Sequence, residues 1–118
     1  MTANKKTQLV RVRLHLPSEV KPPGPAHIRL AIDDVSLADR PAIPCQEVEI
    51  LASDLDEIIG PHELHPSLLP WKSYAVRAHV DWAGDGTVAP GDLVTTKQTG
   101  LPPGAPADMD VEVDVAVV

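Results

Sequence analysis

Four stretches of this chain alternate apolar and polar residues with a period of two, the pattern of a pleated strand with one face buried. From Leu9 to Leu16, Val10, Val12, Leu14 and Leu16 share a face, while Arg11, Arg13 and His15 take the other. A second stretch sets Ile28, Leu30 and Ile32 against His27, Arg29 and Ala31. The strongest puts Tyr74, Val76, Ala78, Val80 and Trp82 opposite Ala75, Arg77, His79 and Asp81. The last alternates Met109, Val111, Val113, Val115 and Val117 with Asp110, Glu112, Asp114 and Ala116.

What separates these stretches is equally restrictive. Thirteen prolines and seven glycines in 118 residues break the backbone too often for long helices. Pro17 to Pro25 is a loop, and Asp33-Asp34 open a turn through Ser36-Leu37-Ala38-Asp39-Arg40-Pro41. Gln46 to Leu51 is a further strand with Val48 and Ile50 inward. Two readings stay open for Ser53 to Leu69: a short helix over 54–59 capped by Ser53 and ended by Gly60-Pro61, or an irregular strand ending. Ala83-Gly84-Asp85-Gly86 has hairpin-turn composition. The returning strand runs through Thr87-Val88, breaks at Pro90-Gly91 and resumes at Leu93 to Thr96 as an edge or bulged strand. A Pro/Gly-rich loop, 100–106, precedes the last strand. The expected fold is all-β: a single antiparallel β-sandwich of about seven strands, immunoglobulin-like in outline. It spans 1–118, with 1–7 a flexible N-terminus.

Apolar residues supply 43% of the chain, but aromatics only 3% and Phe is absent, so Val, Leu, Ile and Ala must build the core. Ten Lys and Arg against seventeen Asp and Glu give a net charge of −7. Such a domain has no overall field to draw in nucleic acid or an anionic membrane. The single Cys45 excludes an internal disulfide and a four-cysteine zinc site. Placed after Pro44 at a strand start, it is expected as a small core residue. No apolar run of signal-peptide or membrane-spanning length follows Lys5-Lys6, so the expectation is a soluble, cytoplasmic protein.

The stretch Ile28 to Ala42 contains Asp34-Val35-Ser36-Leu37-Ala38-Asp39-Arg40-Pro41-Ala42, and later come Tyr74-Ala75-Val76-Arg77-Ala78 and Thr95-Thr96. Together they resemble the YbaY/YscW family of small bacterial lipoproteins, whose type III secretion members act as secretin pilots. The resemblance runs over roughly residues 9 to 117. It implies an antiparallel β-sandwich and no mapped catalytic residues. The lipoprotein signal and lipidated cysteine of that family are not seen in this chain, so membrane anchoring is not implied. Asp34, Ser36 and Asp39 match its signature and are expected to build the turn.

Several side chains invite chemistry. His62 and His65 are three apart, and zinc would need a further ligand such as His15, His79 or Cys45. Pro61 and Pro66 on either side oppose a helix that would align the two rings, so the expectation is a solvated loop, with no metal and no cofactor. Asp81, Asp85, Gly86 and Asp92 faintly resemble a calcium loop, but Ala83 and Asp92 stand where ligand positions three and twelve want an acid and a glutamate. No Gly-x-Ser-x-Gly elbow or phosphate-cradling loop is present.

Two functional readings follow. The first is a non-catalytic, chaperone-like binding module that holds a protein partner by strand addition at an open edge such as that containing Leu93. Trp71 would be an exposed anchor, Arg13 and Tyr74 further binding residues, and self-association through the edge is a corollary. In the second, Arg77, His79, Asp81 and His15 line a groove with Arg13. That groove binds a small anionic molecule or performs acid-base chemistry of a cyclase or isomerase type. Paired charge on a solvated sheet is the plain alternative for the same residues.

Overall fold

The computed structural model describes residues 7–18, 20, 24–37 and 39–118. The expected flexible N-terminus thus lies outside the described residues except for Thr7, as do parts of the expected 17–25 loop and Ala38 of the turn. Among the described residues, eight strands and one short helix follow in chain order: β1 (Leu9–His15), β2 (Ala26–Asp34), β3 (Ile43–Ala52), α1 (Leu55–Ile59), β4 (His62–Leu64), β5 (Tyr74–Asp81), β6 (Leu93–Thr95), β7 (Thr99–Gly100) and β8 (Asp108–Val117). Each alternating stretch became a strand, because only that geometry puts every second side chain under cover. Val10, Val12, Leu14, Ile28, Leu30, Ile32, Val80, Leu93 and Val113 are at most 1% exposed. Each such side chain contributes roughly 1.5–3 kcal/mol relative to leaving it in water.

The all-β expectation is met, but the arrangement is a nearly closed, barrel-like single sheet and not two separate sandwich layers. The strands run β3-β2-β5-β6-β8-β1-β4, with β7 beside β5. The length of β8 is the physical reason. Its first seven residues, Asp108 to Asp114, pair with Leu9 to His15, and Val115 to Val117 pair with β6. One strand therefore belongs to both halves of the sheet. The β1–β8 pairing is parallel, against the expected antiparallel arrangement throughout.

Four local expectations are corrected. The strand with Leu93 is not an edge: β6 lies between β5 and β8, and Leu93 is fully buried. Thr87-Val88 is not strand. Instead Asp92 N–H donates to the Ala89 carbonyl at 3.0 Å across Pro90-Gly91, and Gly91 takes the positive φ of 94° that a proline-glycine turn requires at its third residue. Cys45 is exposed on β3 rather than buried. Finally, 62–64 is a strand, not a solvated loop: β4 pairs with β1, and His62 is buried with Nε2 2.8 Å from the Ile58 carbonyl.

The helix reading of the unclear segment holds over Leu55–Ile59, but Asp54 caps it, not Ser53. The Asp54 carboxylate accepts from Glu57 N–H at 2.9 Å, and the Glu57 carboxylate accepts from Ser53 N–H at 3.0 Å. The helix survives at five residues because Ile58 is buried in the core. It sits near the gap where the barrel fails to close, between β3 and β4. A side chain reaches toward the far side of that gap, with Gln46 Nε2 3.5 Å from the His65 carbonyl.

Candidate functional site

The outer face of β5 carries a polar row that the alternation had marked. In register, Glu49 of β3 faces Arg29 of β2, which faces His79 of β5, and His27 faces Asp81. Arg29 donates to Glu49 at 2.8 Å and to Asp81 at 3.2 Å, and His27 Nδ1 also bonds Glu49. His79 Nε2 lies 2.8 Å from Asp92 Oδ2. His79, Asp81 and Asp92 are all buried.

The chain between β5 and β6 folds around these two aspartates. Asp81 accepts from Gly84 N–H at 2.9 Å and Gly86 N–H at 2.8 Å. Both glycines have positive φ, 73° and 80°, which turns their N–H groups inward. Asp92 accepts from Ala89 N–H at 3.0 Å and Trp82 N–H at 3.4 Å. Burial pushes the Asp81 carboxyl up, but the Gly86 and Gly84 amides and Arg29 outweigh it, so it stays below the usual carboxylate range. Asp92 is likewise pushed up by burial, but His79 and the Ala89 and Trp82 amides outweigh it and hold it below the usual carboxylate range.

His79, Asp81 and Asp92 each offer one ligand atom, all within 4.8 Å of one another, a spacing that a metal ion could bridge. The surroundings are built for something else. Four backbone N–H groups and the Arg29 guanidinium already converge on the two carboxylates, and their positive ends oppose a cation. The arrangement closes a loop by charge-assisted hydrogen bonds.

The groove expected from Arg13, His15, Arg77, His79 and Asp81 is not assembled. His15 lies over β8, 3.1 Å from Glu112 and 3.8 Å from Asp114. Arg13 and His15 line a hollow with Leu55 and Ile59. Arg77 reaches Asp33 with Nε at 3.1 Å and Glu47 at 3.6 Å. His79 and Asp81 are withdrawn into the buried cluster. Two strands, β6 and β8, separate β1 from β5, and alternation carries no information about that.

One end of the molecule gathers loops instead. Val35 N–H donates to the Ser73 carbonyl at 2.9 Å, and Ser73 N–H to Ser36 Oγ at 2.9 Å. Asp34 accepts from Ser36 N–H at 2.9 Å and pairs with Lys72 at 3.0 Å. Ser36, through its hydroxyl and N–H, and the Lys72 ammonium hold the Asp34 carboxyl down at about 2. Asp34 and Ser36 thus build the turn as expected. Tyr74 is buried, its hydroxyl accepting from Leu69 N–H at 3.0 Å. Trp71 is 76% exposed.

Beside these loops lies a cavity of about 550 Å³. Asp33 and Arg77 line it together with Arg40, Lys97, Thr96 and Gln98, over an apolar side that includes Leu37. Arg40, Lys97 and Gln98 had no sequence signal, since they lie outside the alternating stretches and meet only through folding.

The other open feature is β3. It pairs with β2 alone, so every second residue turns its N–H and C=O away from a partner strand. Its inward row, Gln46, Val48 and Ile50, is only half-buried, and Gln46 Oε1 is buried without a hydrogen-bond partner.

Together these features define an all-β scaffold with one incomplete seam and a loop-lined cavity at one end. No protein-family model matches the sequence, and no curated protein matches it. Among solved structures the fold is similar to an alternative pilotin from the type II secretion system of Vibrio cholerae. The likeness covers 96% of this chain and 100% of that one, with a TM-score of 0.66 and 18% sequence identity.

Proposed function

We propose that this chain is a non-catalytic, chaperone-like binding module that takes a segment of a protein partner as an added strand along β3. The unpaired β3 edge carries this reading. It offers backbone hydrogen bonds for affinity and a half-covered row, Gln46, Val48 and Ile50, for side-chain recognition. An incoming strand would cover that row and narrow the gap to β4. The similarity to a type II secretion pilotin and the resemblance to a family with secretin pilots support a secretion-system component as the partner. The catalytic alternative gains nothing comparable: the His79–Asp92 pair is buried within a loop-closing network, and the His15–Glu112 and His27–Glu49 pairs lie on the sheet surface.

Overlapping peptides spanning a secretin subunit from the same organism, titrated into the labelled protein, test this by amide NMR and hydrogen exchange. The expected result is one peptide that shifts and protects amides of residues 46–51. Its backbone N-methylated version should lose at least tenfold in affinity. Equal binding of the methylated peptide, no binding by any peptide, or shifts that leave β3 untouched would overturn the reading.

A further inference from the structure

We propose that the cavity beside the 35–42 loop is a carboxylate-binding site, which takes an acidic side chain of a peptide flanked by an apolar one. The charge balance is the first reason. The chain as a whole carries −7, yet the cavity is lined by Arg40, Arg77 and Lys97 against the single acid Asp33. Arg77 is already matched, with Nε 3.1 Å and Nη2 3.4 Å from the two Asp33 oxygens. Among the described residues, the ion pairs engage Arg11, Arg29, Lys72, Arg77 and three histidines, leaving Arg13, Arg40 and Lys97 without a carboxylate, and the last two both line this cavity. Two unmatched cations therefore converge on one concave site in an acidic molecule.

The shape and the rest of the lining select the ligand. Thr96 and Gln98 offer hydrogen bonds that an oxygen-rich group can use, and Val35, Leu37 and Ala42 form an apolar flank. Leu37 is 54% exposed, so a partner's apolar side chain can reach it. A carboxylate accepts from guanidinium and ammonium donors, and its apolar neighbour then covers Leu37. The site is open and its cations are solvated, so binding must weaken with salt. It is lined by Val35, Leu37, Arg40 and Ala42 and by Thr95 to Gln98, and it adjoins β3 where Arg77 reaches Glu47. Arg40 and Lys97 both lie off β3, so their variants separate this site from strand addition.

The probe is the capped peptide acetyl-Leu-Glu-Glu-Leu-amide, whose only carboxylates are side chains, titrated by amide NMR. Shifts should concentrate on Arg40 and on Thr95 to Gln98. Arg40→Glu and Lys97→Glu, both at exposed positions, should each weaken binding about tenfold or more, while Arg13→Glu, an exposed cation elsewhere, should leave it unchanged. Binding should fall as salt is raised from 20 to 300 mM. The glutamine analogue of the peptide should bind at least tenfold more weakly. Equal binding of that analogue, equal damage from Arg13→Glu, or shifts scattered over other surfaces would overturn the proposal. Succinate binding more tightly than the peptide would overturn the peptide as its source, and phosphate binding as well as succinate would overturn carboxylate selectivity.

Discussion

The seam where β1 meets β8 and the edge where β3 meets nothing are built from the same alternating pattern and end in opposite states. Along the seam, Val10, Val12, Leu14, Met109, Val111 and Val113 are at most 6% exposed. Along β3, Val48 and Ile50 alternate just as strictly with Glu47 and Glu49, yet they remain half-exposed. Neither β-propensity nor hydrophobicity separates the two. The difference is that β8 runs between two neighbours, whereas β3 has one. Alternation fixes which face is apolar, and the count of flanking strands decides how completely that face is covered.

Breaking the seam should have the largest effect. Leu14→Ala removes a fully buried side chain from a row with little room to collapse. It should destabilise by about 2–5 kcal/mol, read from the urea unfolding midpoint. Asp81→Ala comes next: it leaves the Gly84 and Gly86 amides and Arg29 without their acceptor. A loss of about 2–3 kcal/mol is expected, with faster hydrogen exchange confined to 82–92. A larger loss from Asp81→Ala than from Leu14→Ala would reverse the ranking of core over loop.

An acid titration sharpens the comparison at the loop end. The folded Asp34 carboxyl sits at about 2, below its ordinary 3.8. A depressed value means that its ionised form stabilises the fold above 3.8, and that this contribution is lost as pH falls toward about 2. Asp81, Asp92 and Glu49 are lowered as well and act in the same direction. The unfolding midpoint should therefore decline through that acidic window, and Asp34→Asn should flatten the decline. An unchanged acid limb in Asp34→Asn would remove Asp34 from the account. The smallest effect belongs to the open edge: Val48→Ala should cost at most about 1 kcal/mol, because its site is half-solvated already. If it cost as much as Leu14→Ala, β3 would have to be covered in solution.

Much of the fold was legible from the residues. The alternating stretches became β1, β2, β5 and β8, and Ile58 with its acidic first turn became α1. The short strands β4 and β7 were not, since three and two residues carry no period. Leu93 lies inside the sheet and not at an edge, because Pro90-Gly91 forms the turn before its strand rather than a break within one. Of the candidate residues, the exposure of Trp71 and the turn-building by Asp34 and Ser36 were readable, since both follow from local chemistry. The convergence of Arg77 with Arg40 and Lys97 was not.

The strand class, the apolar rows and the acidic charge follow from residue order, because each depends on composition or on residues within a few positions of one another. The parallel pairing of β1 with β8, the separation of Arg13 and His15 from Arg77, and the open outer edge of β3 come from long-range assembly. Those outcomes join residues up to about a hundred positions apart, as Arg11 and Asp108 are. A period of two says which way a side chain points, and nothing about which strand it will find beside it.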